Sequence, residues 1–454
     1  MEAARLSGIR VPKVLDWSKD LSNNVGSPYI IMEYVEGVNL DYEWRLPTTR
    51  GLPVLGMMNT AFEYCSKMIS PIYSRSGALY FKDDFPSSKP TLDHSAPVNS
   101  QFPFLDSKFN IGPIANILWW RPFHDEEDLP RGPFNTAEEL VLAAVTIERR
   151  AVERYRQDPS SLAFTKSTLD DLDLIESLLD RVVALAPRLA DCEFGPDALR
   201  PALLHNDMAS YNIMVPKQTV QNVLQRMTEP TLVGWEGTSI LPLSFQNLVI
   251  PLIEYWPKIL DEDGEPVFDI SRTMDLDEES KPSIPPELEA RLDTPELREG
   301  VEGELRLALR QFRYMQDLAR DPVAQQSFMH PIGPFLPLLL QSIIRACAAG
   351  PTELASALLH ILDHWQDSWG GRCPIVFTIP EVERLFAIID KKMLYDANCG
   401  ALRTLIGCEP DGSVLPENYD DAVQSMNQLR KDWNEEECGG PFPLEDGRYS
   451  PYLS

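Results

Sequence analysis

The chain has 454 residues, 43% of them hydrophobic, enough for one large domain or two to three ordinary ones with a sizeable core. Its 69 acidic against 41 basic residues give a net charge of -28, a field that repels phosphate backbones and anionic lipid and excludes nucleic acid as an expected partner. A nucleotide binds such a chain only where local cations or a metal ion reverse the potential.

The amino terminus, MEAARLSGIRVPKVLDW, has neither the apolar core of a signal peptide nor a long Arg/Ser-rich amphipathic stretch, and the chain has no Asn-x-Ser/Thr sequon. Cys65, Cys192, Cys347, Cys373, Cys399, Cys408 and Cys438 form no CxxC or His/Cys metal spacing and read as reduced thiols. An intracellular protein is expected. The most apolar runs, Ile240 to Ile253 and Phe335 to Ala349, are too short to span a bilayer and carry prolines, so no membrane insertion is expected.

In chain order, Val11 to Trp17 and Tyr29 to Tyr34 read as strands around a polar, turn-rich connector. From about Leu40 the pattern becomes helical. Thr136 with Glu139 predicts a capping box ahead of Leu140, Ala144, Ile147 and Ala151; Thr168 with Asp171 predicts another ahead of Ile175, Leu178, Leu179 and Val182. Thr378 with Glu381 opens a third, whose stripe of Leu385, Phe386, Ile389 and Met393 is expected to face a core. Between Pro257 and Glu304 an acidic, proline-bearing stretch reads as a solvated loop with a partly helical exit.

The segment LLHNDMASYNIMV sets His205 two residues before Asp207 and Asn212 five residues after it. NIMV and the later TLVGW read as two strands of a hairpin, which would bring positions 212 and 234 together. In a phosphoryl-transfer site such a hairpin has a purpose: the aspartate accepts the attacking hydroxyl's proton, the asparagine binds magnesium, and the returning strand supplies a carboxylate to the same metal.

With these segments the chain resembles the aminoglycoside phosphotransferase-like, or phosphotransferase-enzyme, family of fungi, which includes altered inheritance of mitochondria proteins. IRVPKVLDWSKDLSNNVGSPYIIMEYVEGVNL is similar to the end of the family's small lobe and hinge; SGALYF, FNIGP, RGPFNTAEE, CPIVF and DGSVLPENY are similar to later landmarks; and LLHNDMASYNIMV is similar to its catalytic loop. The resemblance implies an α+β, protein-kinase-like fold with a truncated small lobe. Residues 1–40 would be its remnant and hinge, and 41–454 a large, mainly helical lobe carrying the catalytic hairpin at about 203–246 and the acidic loop at about 257–304.

Carried over residue by residue, it makes Asp207 the general base, His205 the residue that braces the loop and Asn212 a magnesium ligand; Glu33, Tyr34 and Val35 fall where the hinge backbone meets adenine of ATP. A packed, uncharged core histidine and a plain interdomain linker are the alternative readings of His205 and of the hinge. Gly234 stands where the family places its metal-binding aspartate, and Met208 and Ala209 where it commonly has leucine and histidine. Glu236, two residues beyond Gly234, is a substitute metal ligand if the strand continues; otherwise it occupies the family's glutamine position.

The given sequence has no glycine-rich phosphate loop or strand lysine before Ile9, and Lys13 is no replacement. Losing one electrostatic clamp typically costs on the order of a hundred- to a thousand-fold in rate. The expectation is an impaired, pseudokinase-like binding protein; the alternative is an active ATP- and Mg2+-dependent phosphotransferase acting on a hydroxyl of a small molecule. The remnant strands are expected to expose edges and apolar faces that a protein partner would cover. Gly234→Asp is expected to improve metal binding if the hairpin geometry survives.

Overall fold

The structure, a computed structural model, describes residues 1–40, 54–84, 95–98, 101–121, 128–160, 167–190, 197–215, 230–247, 335–408 and 418–444, with single positions between 298 and 333 and at 414. The acidic stretch at 257–304, Arg298 apart, and the connector 216–229 lie outside the described residues. The chain is mixed α+β and forms two compact units: 1–116, 131–136 and 194–334 make the first; 117–130, 137–193 and 335–454 the second. In the first unit Ile9, Val11 and Leu40 share a buried cluster with Ala61, Cys65 and Leu204.

The first unit holds every described strand. After the short helix α1 (Glu2–Leu6), β1 (Val14–Ser18) and β2 (Tyr29–Met32) form an antiparallel ribbon with Trp17 opposite Ile30 and Ser18 opposite Tyr29. The first strand starts later than the sequence suggests. Pro12 donates no amide proton, and Val11 before it is buried in the core instead. The ribbon pairs with no further described strand, and Leu15, Trp17, Ile30, Ile31 and Met32 are 40% to 59% exposed.

β3 (Val38–Asn39), β8 (Ile213–Val215) and β9 (Thr231–Leu232) form an antiparallel sheet in the order β3-β8-β9, with Val38 opposite Val215 and Ile213 opposite Leu232. β7 (Pro201–Leu203) pairs with β10 (Ile240–Pro242), and β6 (Phe109–Gly112) lies between β4 (Ala78–Phe81) and β5 (Ala96–Pro97). Beneath these lies helix α2 (Val54–Ile69). Its Ala61, Cys65, Met68 and Ile69 share a buried cluster with Leu204, Met208, Ile213, Val215, Leu232 and Trp235, so the hairpin is anchored by its apolar residues. Helix α3 (Pro103–Lys108) leads into β6.

The second unit is helical. α4 (Ala137–Gln157) and α5 (Leu169–Ala190) pack together, and Leu140, Ala144, Ile147, Ala151, Ile175, Leu178, Leu179 and Val182 are all buried, as their spacing predicts. Thr168 and Asp171 cap α5 reciprocally: the Thr168 N–H donates to the Asp171 carboxylate at 2.7 Å and the Asp171 N–H to Thr168 Oγ1 at 3.3 Å. α6 (Phe335–Ile344), α7 (Ala346–Ala349), α8 (Thr352–Asp363) and α9 (Trp365–Ser368) follow. Arg121 and Glu148 form a buried ion pair, and Glu148 also accepts the Cys347 N–H at 2.9 Å.

The last long helix, α10 (Ile379–Ile406), opens on the expected Thr378/Glu381 capping box and ends at Gly407 in the left-handed region. Its buried stripe differs from the expected one. Leu385 is buried, but Phe386 and Met393 are exposed, and the inward positions are Cys399, Leu402 and Ile406. Over 28 residues the 3.6-residue period turns the inner line away from the one read at the helix's start. α11 (Tyr419–Asp432) packs on its carboxyl-terminal half through Ala422. No described helix is long and apolar enough to cross a membrane.

Candidate functional site

β7 ends at Leu203, and the chain turns through 204–209 and a single 3-10 turn, Ser210–Asn212, before entering β8. Met208 and Ile213 are buried on either side of that turn, pinning the loop while leaving its polar residues outward. The Asn39 amide donates to the Tyr211 carbonyl at 2.7 Å, and the Thr238 hydroxyl to Asn206 Oδ1 at 3.1 Å, so both flanks of the loop are tied down.

His205 is 3% exposed, and both ring nitrogens are engaged. Nδ1 accepts the Asp207 N–H at 3.1 Å, which places the ring proton on Nε2, where it donates to the Val233 carbonyl at 2.9 Å. The ring meets Trp235 edge-on, with centroids 4.7 Å apart. Burial pushes the imidazole below its ordinary value of 6.5, outweighing the pull of Asp207 and Glu236, so the neutral ring couples loop and returning strand. Because the unfolded chain binds this proton more readily, stability falls as pH drops below about 6.5 and continues to fall until the folded-state value is passed. Replacing His205 by Asn should lower stability at neutral pH and flatten that acid limb in urea titrations; an unchanged limb would show that His205 stays solvated.

The structure brings Asp207, Asn212 and Gly234 together. β9 ends at Leu232, and the Val233 N–H donates to the Asn212 carbonyl at 2.9 Å. Gly234 then adopts φ +75°. A Cβ at that position would lie 2.3 Å from Asn212 Oδ1 and 2.6 Å from its Cγ, closer than real Cβ contacts allow. The Asn212 side chain thus occupies the ground on which an aspartate at 234 would have to stand.

Asn212 Nδ2 donates to the Asp207 carbonyl at 2.8 Å and to its carboxylate at 2.9 Å. Both neighbours are acceptors, so only the amino end of the amide can face them. Tyr211, which the sequence reading passed over, donates its phenol to both carboxylate oxygens of Asp207 at 2.8 Å. Burial first, and then Asp207 itself, push that phenol up to about 12, so it stays protonated and donating at neutral pH.

Glu236 does not continue a strand face beyond Gly234, which its reading as a substitute metal ligand requires. The left-handed glycine breaks the strand first, and Glu236 stands exposed in the turn that follows. The ribbon-to-β3 connector holds Glu33, Tyr34 and Val35; Tyr34 is 85% exposed, and Glu33 pairs through its backbone with Lys13 at 2.8 Å. A magnesium ion requires near-octahedral oxygen ligands at about 2.0–2.1 Å. The carboxylate here already accepts from two donors, the Tyr211 phenol shared between its oxygens and the Asn212 amide, the Asn212 oxygen faces Gly234, and Gly234 supplies no ligand. No cluster of three or more His, Cys, Asp or Glu suited to a metal occurs among the described residues. The donor set does not fit the metal of a phosphoryl-transfer site.

No family model matches the sequence, and no solved structure matches it. The chain is 24% identical, over 92% of its length and 81% of the relative's, to a subtelomeric hrmA-associated cluster protein of Aspergillus fumigatus. It is 24% identical to altered inheritance of mitochondria protein 9, mitochondrial, of Zygosaccharomyces rouxii, over 60% of this chain and 44% of that protein. The protein of that name from Saccharomyces cerevisiae is 22% identical over 59% of this chain and 43% of its own length. The match thus spans less than half of either mitochondrial relative.

Proposed function

We propose that the chain is a degenerate relative of the kinase-like phosphotransferases that works as a binding protein and does not turn over MgATP. One observation supports this reading most: Asn212 spends its amide on Asp207 and fills the space beside Gly234, while Tyr211 holds the same carboxylate from the other side. The loop meets its own hydrogen-bonding demands, with neither a second metal ligand nor an open base. A protein partner on the exposed ribbon of β1 and β2 is the corresponding proposal for binding, since its apolar side chains have no cover among the described residues. The names of the mitochondrial relatives support an intracellular location, cytoplasmic or mitochondrial.

An active phosphotransferase acting on a small-molecule hydroxyl is the second reading. It is favoured by the His205 brace, which holds Asp207 at the mouth of the hairpin as a general base requires. Thermal denaturation separates the two. MgATP is expected to give no stabilisation beyond that of magnesium alone, whereas ligand-dependent stabilisation that rises with MgATP concentration would establish nucleotide binding and restore the kinase reading.

A further inference from the structure

The ribbon of β1 and β2 has two outer edges, and no described strand pairs with either. The two edges differ. β1 carries a bulge between Val14 and Asp16, holds the charge of Asp16 and is flanked by Lys13 and Lys19, all devices that keep a sheet edge from pairing. β2 has none of them. Its residues Tyr29 to Met32 are uncharged and run without a bulge, and Ile30, Ile31 and Met32 are 58%, 49% and 40% exposed.

One bond fixes the direction of the backbone groups. The Glu33 N–H donates to the Lys13 carbonyl at 2.8 Å, so Glu33 turns its peptide groups towards β1, and by strand alternation Ile31 and Tyr29 do the same. Ile30 and Met32 therefore turn theirs outward. Neither makes a backbone bond beyond the ribbon among the described residues. Such a row takes an extended strand, because a helix has spent its backbone groups within itself.

A second copy of β2 supplies that strand in a register that the edge itself dictates. A two-fold axis perpendicular to the sheet keeps every side chain on its own face, so it opposes only residues of like parity. Centred on Ile31, it sets Ile30 against Met32 of the second copy, and both outward residues then exchange both their bonds. Ile31 faces Ile31 of the second copy as a non-hydrogen-bonded pair, about 4.5 Å apart between Cα atoms, where β-branched side chains pack well. Glu33 falls opposite the uncharged Tyr29, so no like charges are directly opposed. A slip towards the amino terminus would bring in Pro28, which has no N–H, and leave the Met32 carbonyl unfilled. The net charge of -28 on each copy opposes association at low ionic strength, so the pairing strengthens as salt screens it.

We infer that the outer edge of β2 joins two copies of this chain into one continuous antiparallel sheet; this rests on the reading of the ribbon as the binding surface and names its occupant. Sedimentation of the full chain is expected to show a concentration-dependent dimer that tightens with added salt. Ile31→Lys and Ile31→Glu should each weaken it by about tenfold or more, since like charges then meet across the axis. Mixing the two variants in equal amounts should restore it, because lysine then faces glutamate. Ile30→Pro, which removes an outward N–H and none directed at β1, should weaken it as well. The far-ultraviolet circular dichroism of all three is expected to match the wild type, both positions being exposed. A dimer indifferent to these changes, or a mixture no tighter than its components, would overturn the assignment. A monomer at every concentration would overturn it too, and hydrogen exchange would then show whether the ribbon reading falls with it. Fast exchange at Ile30 and Met32 would leave the edge open to a different protein, whereas protection there would remove the binding surface altogether.

Discussion

Gly234→Asp is expected to destabilise the first unit by about 2–4 kcal/mol and to create no magnesium site. A side chain at φ +75° is strained whatever surrounds it, by about 1–3 kcal/mol, although aspartate tolerates this region better than most residues. The new Cβ must also displace Asn212, which loses its bond to the Asp207 carboxylate, worth about 1.5–3 kcal/mol for a charged acceptor. The urea midpoint should therefore fall. Adding Asn212→Gly removes the atoms in the way, so the double variant should be less unstable than the sum of the single changes. The sequence alone suggested the reverse, a repaired metal site, because the glycine's backbone conformation and the asparagine packed against it leave no trace in a one-dimensional motif. An unchanged midpoint together with tighter magnesium binding would restore that expectation.

Glu148→Ala is expected to destabilise the second unit by about 3–5 kcal/mol. Glu148 is fully buried and Arg121 nearly so, and the carboxylate also holds the Cys347 N–H at the start of α7. Truncation removes the Glu148 carboxylate from beside an arginine charge held in the helical core, which costs far more than the pair itself contributes. Replacing both residues by methionine should restore most of the loss, because the desolvation penalty of both charges disappears together. Equal instability of the single and double variants in urea unfolding would assign the effect to packing volume rather than to charge.

Much of the helical unit was legible because burial follows a simple period there. The inward faces of α4 and α5 came directly from residues such as Leu140, Ile147, Ile175 and Val182, and the Thr168 and Thr378 caps from a spacing of three. α10 marks the limit of that reading. Phe386 and Met393 share the heptad spacing that a buried seam would show, and apolar periodicity alone does not tell a buried face from an exposed one. At the site, the meeting of positions 212 and 234 was readable from two short strands and a connector. Tyr211 was missed because its role depends on a 3-10 turn that aims its phenol back at Asp207. The two readings of Glu236 stayed open in the sequence because strand alternation holds only until Gly234 leaves the extended region. The division into two units escaped detection since each is assembled from three separated stretches of chain.

Manganese, as a paramagnetic stand-in for magnesium, tests the closed state of the hairpin most directly. Titrated with ATP into the full chain and followed by electron paramagnetic resonance, it is expected to stay as free as in protein-free nucleotide at every concentration, and Asn212→Ala should change nothing. Loss of the free manganese signal at one equivalent per chain, abolished by Asn212→Ala, would mean that Asn212 turns its oxygen to a metal and that the site is open for phosphoryl transfer.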